Sequence, residues 1–131
     1  MNLQVTPPLP FPATVGEPPA GLLDADALDR LRALDPEGRA GLLPRVLATY
    51  TASLQRLLEQ LRVARASADL QGQRHVAHTL KSSSASVGAM KLSALCADIE
   101  RRLRDEPVEP VHTQFDAVAR EAEHLLLHLR S

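Results

Sequence analysis

His78 is the residue of this sequence with the clearest capacity for chemistry. A neutral imidazole carries a nucleophilic nitrogen near neutral pH, and a phosphorylated ring nitrogen is a good leaving group, so a histidine can both accept and release a phosphoryl group. Arg74 and Lys81, one turn before and one turn after it, supply positive charge that would offset such a group. Ser82 and Ala85 are small, so they leave the imidazole accessible to a second protein.

A helix over residues 69–87 is expected to direct the His78 side chain away from the core. We expect the side opposite His78 to be buried, because the rest of its helix is apolar there. The residues within roughly 40° of that opposite side are Val76, Leu80, Ser83 and Val87. The residues within roughly 60° of His78 are Gln71, Arg74, His75, Lys81, Ser82 and Ala85. We therefore predict a solvent-facing imidazole on a rigid helix. We predict a partner-docking face on the adjoining part of the long second helix and on Gln71, Arg74, His75, Ser82 and Ala85.

The stretch from Gln71 to Arg104 is basic, although the whole chain has a net charge of −1. It holds six Lys and Arg residues against two acidic residues, which gives a local net charge of +4. Such an excess suits a transient phosphoryl group and an acidic partner surface. The overall charge, by contrast, gives no reason to expect binding to nucleic acid or to an anionic membrane.

The histidines also admit less specific interpretations. Exposed histidines beside lysines are common, so geometry alone leaves open a surface histidine with no role. His75 and His78, and likewise His124 and His128, have spacings that can place two imidazoles on one metal ion, but a third ligand is needed. Cys96 belongs to an apolar helical stripe and is expected in the core. We therefore predict no metal site.

The sequence carries no pattern of a nucleotide-using or acyl-transfer enzyme. The serines at positions 82, 83, 84 and 86 have no Asp and His partner pattern and no Gly-x-Ser-x-Gly turn. The six glycines form no Gly-x-x-x-x-Gly-Lys loop. We therefore expect a carrier without its own ATP site and without a permanent cofactor, rather than an enzyme.

Five segments with apolar residues at helical spacing must position these groups. We predict helices over residues 24–34, from about 41–44 to 66–68, 69–87, 90–105 and 110–129. No segment shows the apolar and polar alternation of a strand bounded by turn residues. The sequence thus predicts an all-α fold, an antiparallel four-helix bundle with a short N-terminal capping helix.

The beginning of the chain differs in composition from the rest. Residues 1–20 contain six of the ten prolines, and proline removes a backbone donor and fixes φ. We therefore expect a disordered Pro-rich leader, followed by one domain over residues 21–131. One cysteine excludes an internal disulfide, and no apolar run approaches the roughly 20 residues of a membrane helix. We expect a cytoplasmic protein.

The segment that begins near His78 resembles the signature of the histidine-containing phosphotransfer (HPt) domain family. That signature is His-x-Leu-Lys followed by small residues, a Gly-Ala pair, and a helix that contains Leu and Glu. The residues that carry the resemblance are 77–89, Leu92, Leu95, Cys96, Ile99 and Glu100. The order of the helices is also similar to that family, and the resemblance covers about residues 22–129.

The resemblance implies a phosphorelay protein in which His78 accepts a phosphoryl group from a receiver-domain aspartate and passes it to another receiver. It implies that Lys81 lies beside the phosphorylated ring and helps to neutralise it. Receiver domains and a hybrid sensor kinase are the implied partners, and we expect a monomer. Ser82 stands where the family usually has glycine, so its hydroxyl either bonds the phosphoryl group or narrows the partner's access. The alternative function is a helical adaptor or inhibitor that binds a receiver or kinase without carrying phosphate.

Overall fold

The computed structural model describes residues 22–105 and 110–130, which form five helices and, over these ranges, no strand. The helices are α1 (Ala25–Ala33), α2 (Leu42–Ala66), α3 (Leu70–Ser86), α4 (Met90–Arg104) and α5 (His112–Arg130). The predicted all-α fold is confirmed, and each helix begins and ends within two residues of its predicted bounds. The predicted Pro-rich leader over residues 1–20 lies outside the described residues.

Aspartate side chains fix the beginnings of three helices. Asp24 Oδ2 accepts from the Ala27 amide at 3.0 Å before α1, and Asp69 Oδ1 accepts from the Gly72 amide at 2.9 Å before α3. Asp35, from the loop after α1, accepts from the Leu42 amide at the start of α2 at 3.1 Å. Each bond satisfies an amide that has no partner within its own helix. The Asp69 cap therefore sets the register of α3, the helix that carries His78.

The core lies between α2, α3, α4 and α5 and is built of aliphatic side chains. Each helix of the bundle contributes at least one side chain with no exposed surface, and these include Leu54, Leu80, Leu92, Ile99 and Leu125. α3 packs against both α2 and α4, and α4 packs against α5 as well. Because α3 is held from two sides, its outward face is presented by a rigid element.

One predicted core position on α3 is wrong. Ser83 is only half-buried, whereas the next residue, Ser84, has no exposed surface. Ser84 shares a hydrogen bond of 2.8 Å with the hydroxyl of Tyr50 on α2, and this bond satisfies the two buried hydroxyl groups. Burial raises the pKa of Tyr50 to about 12, so the phenol stays protonated and can donate. The hydrogen bond with Tyr50 of α2 therefore accounts for the burial of Ser84 in place of Ser83.

The turn between α3 and α4 holds the short first helix in place. The Gly88 carbonyl accepts from the Asp24 amide at 2.7 Å, directly before α1. Gly88 has φ +85°, and a Cβ added there would lie 2.7 Å from Asp24 N. Glycine is therefore required twice, for the left-handed conformation and for the close approach of the backbone. α1, which also packs on α2, covers this end of the bundle as the predicted cap.

Within the described ranges, no helix is both long enough and apolar enough to cross a membrane.

The contribution of the Gly88–Asp24 contact to stability can be distinguished from the cost of backbone strain by replacing two glycines with alanine. Gly38 also has a positive φ, +71°, but a Cβ there meets nothing within 4 Å. We expect Gly38→Ala to lower the free energy of unfolding by about 1–2 kcal/mol, the cost of the left-handed conformation alone. Gly88→Ala should cost clearly more, because the new Cβ also displaces Asp24. Urea unfolding measures both variants, and equal losses would contradict the role given to the Gly88–Asp24 contact.

Candidate functional site

α3 directs His78 into solvent, as the sequence predicts. Val76, Leu80 and Val87 are buried, whereas the His78 side chain is 60 % exposed. Ala77, beside His78 in the sequence, is buried against the core as well, so the rotation of α3 about its own axis is fixed next to the imidazole.

His78, Glu100 and Lys81 form a connected triad that joins α3 to α4. His78 Nδ1 lies 2.8 Å from Glu100 Oε2, and Lys81 Nζ donates to Glu100 Oε1 at 2.7 Å. The Glu100 side chain is only 16 % exposed, whereas that of Lys81 is 35 % exposed. A single carboxylate therefore uses each of its oxygens for a different neighbour, and it has little access to water.

The ionisation of Glu100 determines which nitrogen of His78 is free. Partial burial by itself raises the pKa of Glu100, but the hydrogen bonds and positive charges of Lys81 and His78 outweigh it, so the pKa lies below its ordinary value. An ionised carboxylate can only accept, so Nδ1 of His78 must carry the proton of the 2.8 Å bond. In the neutral imidazole this leaves Nε2 without a proton and with its lone pair available.

α4 is oriented so that Glu100 meets α3. Leu92, Cys96, Ile99 and Leu103 are buried in the core and fix the rotation of α4. Ser93 Oγ donates to the Lys81 carbonyl at 2.9 Å, which is a second polar bond between the two helices near the triad. The carboxylate of Glu100 is therefore positioned by core packing and by a neighbouring hydrogen bond, in addition to its own partners.

An open depression of about 240 Å³ adjoins the imidazole. It is lined by Gln71, Arg74, His75, His78 and Glu100. Three of the five predicted docking residues thus lie together on the side of His78 toward the start of α3. Gln71, His75 and Ser82 are exposed, whereas Arg74 and Ala85 are half-buried.

The element beside the depression is α4, which sequence reasoning did not assign to this face. The docking role predicted for the adjoining part of α2 stays a prediction, and the residue from another helix that contacts His78 is Glu100 of α4. The sequence indicated Glu100 only as an acidic residue and as part of the family signature, and it did not indicate the contact with His78. One signal was present, because Glu100 follows the core residue Ile99 and lies one turn after Cys96, at the edge of the buried stripe.

The basic excess of this region is smaller at the surface than the sequence count indicates. Asp98 accepts from Arg101 at 2.9 Å and from Arg102 at 3.0 Å. Lys81 is bound to Glu100, and Lys91 lies 3.7 Å from the buried carboxylate of Glu121. Much of the local positive charge therefore neutralises carboxylates of the same domain.

The other candidate sites hold no comparable arrangement. Cys96 is buried, and burial together with the charge of Glu100 raises the pKa of its thiol to about 12, so the thiol stays protonated. Among residues 22–105 and 110–130, no three His, Cys, Asp or Glu side chains are grouped so that they could hold a metal ion. His124 is exposed and His128 half-buried on α5.

Comparison with known proteins gives one family and two similar structures. A family model described as Hpt domain matches residues 45–130. The chain is similar to the crystal structure of histidine-containing phosphotransfer protein B from Pseudomonas aeruginosa PAO1, with a TM-score of 0.75 and 24 % identity over 86 % of this chain and 94 % of that one. It is also similar to the HPT domain of the Hpt sensor hybrid histidine kinase from Shewanella, with a TM-score of 0.67 and 21 % identity over 84 % of this chain and 92 % of that one. At these identities the two structures establish the fold alone. No curated protein matches the chain.

The tautomer of His78 tests the geometry of the triad. We expect the neutral ring to carry its proton on Nδ1 in the wild type. Long-range ¹H–¹⁵N spectra at pH 8 would measure this tautomer. Glu100→Gln should lose this preference, because its amide can turn its oxygen to Lys81 and its NH₂ group to His78. Glu59→Gln, which removes a surface carboxylate paired with Arg62, serves as the control and should leave the His78 spectrum unchanged. A wild-type ring protonated on Nε2 would contradict this assignment.

Proposed function

Because the chain belongs to the Hpt domain family, we propose that His78 is the residue that performs its histidine phosphotransfer role in a phosphorelay. The observation that supports this choice is the triad, in which an outward-facing imidazole has its Nδ1 bound by an ionised carboxylate. His78 is thereby oriented, and the nitrogen that faces away from Glu100 is the nucleophile. Hpt domains interact with receiver domains and hybrid kinases, so these are the classes of partner that we assign to the chain.

The transfer step needs no proton to enter or leave the ring. The Nε2 lone pair of His78 attacks the phosphorus of the receiver's aspartyl phosphate, the N–P bond forms, and the P–O bond breaks. The aspartate leaves as a carboxylate with the bonding electron pair. The ring, which keeps its proton on Nδ1, becomes positively charged, and Glu100 stabilises that charge at hydrogen-bond distance. The reverse step passes the phosphoryl group to the aspartate of a second receiver.

Lys81 acts at two points in this proposal. It neutralises one oxygen of Glu100, which keeps the carboxylate ionised beside the imidazole. An ammonium group has three donors, and Glu100 uses one, so Lys81 keeps donors for a phosphoryl oxygen. The role that the family resemblance implies for Lys81 is therefore compatible with its contact to Glu100.

The proposed partner surface is the exposed side of α3 around His78, with the adjoining edge of α4. It contains the predicted docking residues Gln71, Arg74, His75, Ser82 and Ala85. Its cations suit the acidic phosphorylation pocket of a receiver. Such encounters are expected to be of modest area and short-lived, because a relay protein must release one partner before it meets the next.

We assign no ATP chemistry to the chain, since the phosphoryl group arrives already activated on a receiver. We propose a monomer, because self-association over α3 would cover His78. We propose the cytoplasm as its location, where a free thiol such as that of Cys96 normally stays reduced.

Phosphoryl transfer from a labelled, phosphorylated receiver domain tests the assignment of His78. We expect acid-labile and alkali-stable label on the wild type and none on His78→Gln, because glutamine lacks the nucleophilic ring nitrogen. His124→Gln removes an exposed histidine on α5, away from the proposed partner surface, and should retain label. Circular dichroism confirms that each variant is folded.

Two outcomes would overturn this proposal. Label that persists on His78→Gln would place the phosphoryl group on another residue. A folded wild type that binds several phosphorylated receivers and takes label from none would support an adaptor or inhibitor that carries no phosphate.

A further inference from the structure

We infer that Arg74 binds the phosphoryl group of phosphorylated His78, in the depression on the side of the imidazole toward the start of α3. This inference rests on the proposed function, because it requires that His78 carries the phosphoryl group. It assigns to Arg74 a direct contact with the reacting group, beyond a place on the docking surface.

The cations near His78 differ in what they are already bound to. Lys81 has one donor bound to Glu100 at 2.7 Å and keeps the other two, whereas Arg101 and Arg102 are paired with Asp98. Arg74 makes no ion pair or side-chain hydrogen bond with any residue in the described part of the chain. Its guanidinium therefore has all five donors available for an incoming anion.

The direction of side chains on a helix brings Arg74 and the imidazole together. Side chains on an α-helix point back toward its N-terminus, so the His78 ring covers the turn that precedes it. Arg74 lies four residues before His78, on the same face and within that turn. Both residues line the depression of about 240 Å³, which confirms that they border one space.

Among the residues that line the depression, Arg74 supplies the positive charge for a phosphoryl group, and the carboxylate oxygens of Glu100 are already bound by His78 and Lys81. Lys81 follows His78 in α3 and reaches toward Glu100, so it approaches the imidazole from the Nδ1 side. The nitrogen that would carry the phosphoryl group is Nε2, and the half-buried residue Arg74 lines the same depression as the imidazole and Glu100. A guanidinium is always charged and can bind two phosphoryl oxygens through parallel hydrogen bonds. The volume corresponds to about eight water molecules, which is ample for three phosphoryl oxygens.

A contact between Arg74 and the phosphoryl group would shift the equilibrium of phosphoryl transfer between this chain and a receiver. It stabilises the phosphorylated form of the chain and makes no such contact when His78 is bare. The share of phosphoryl group held by the chain, relative to a receiver, should therefore depend on this side chain. By contrast, the tautomer of unphosphorylated His78 depends on Glu100 and should not change when Arg74 is replaced.

The test uses the full chain, phosphorylated with phosphoramidate so that no receiver has to dock. In that reaction Nε2 attacks phosphorus, the P–N bond of the donor breaks, and ammonia leaves. A ³¹P titration then follows the phosphohistidine signal of the wild type and of Arg74→Gln, Arg74→Lys and Arg30→Gln. Arg30 is the matched control, because it is an exposed arginine on α1, which packs on α2. A second measurement takes the equilibrium ratio of phosphorylated chain to phosphorylated receiver.

We expect Arg74→Gln to raise the pKa of the phosphorylated imidazole, because a positive charge beside it is lost, and to shift the equilibrium about tenfold toward the receiver. Arg74→Lys should lie between Arg74→Gln and the wild type, since it keeps the charge but loses the paired donors. Arg30→Gln should match the wild type in both measurements.

The outcomes separate this inference from the proposed function. A wild-type phosphohistidine signal that titrates identically in Arg74→Gln, with an unchanged equilibrium, overturns the role of Arg74 and leaves the role of His78 intact. A wild type that gives no phosphohistidine signal with phosphoramidate or with a receiver overturns the proposed function, and the inference with it. A change in transfer rate alone, with the titration unaltered, assigns Arg74 to docking and also overturns the inference.

Discussion

The site depends on the half-buried carboxylate of Glu100, to which the His78 imidazole and the Lys81 ammonium group both donate hydrogen bonds. Glu100 accepts from His78 with one oxygen and from Lys81 with the other, and it joins α4 to α3 beside the proposed phosphoryl acceptor. Partial burial by itself raises the pKa of this carboxyl, and the hydrogen bonds and charges of Lys81 and His78 together bring it below its ordinary value. Core packing of Ile99 and Leu80 fixes the two helices so that the three groups meet.

This arrangement divides the surroundings of His78 into two sides with different tasks. On the Nδ1 side, Glu100 orients the ring and stabilises the positive charge that develops on it. The imidazole is otherwise largely exposed, and Arg74 lines the depression beside it. A relay carrier has to hold a phosphoryl group and then lose it. In our proposal both requirements are met, because Glu100 sets the reactivity of the ring and Arg74 adjusts how long the phosphoryl group is held.

The sequence predicted the parts of the fold that depend on a single helix, and it failed where two helices meet. Apolar spacing within each segment gave all five helices and the outward direction of His78, since these follow from one helical period. Glu100 as the partner of His78 lay beyond this reasoning, because the two residues are far apart in sequence and meet only through the packing of α4 on α3. Ser84 is similar: its burial depends on the hydroxyl of Tyr50 in another helix, so the helical angle placed Ser83 there instead. The resemblance to the family motif pointed to His78 and Lys81, and it gave no indication that both side chains bind the carboxylate of Glu100.

The central claim is that Glu100 reserves Nδ1 of His78 and leaves Nε2 as the nucleophile. The most direct measurement identifies which ring nitrogen carries the phosphoryl group, by the ³¹P–¹⁵N coupling of the phosphorylated chain with ¹⁵N-labelled histidine. The account predicts phosphorylation at Nε2 alone, with the proton retained on Nδ1. Phosphorylation at Nδ1 would require the bond to Glu100 to break, and it would contradict the account.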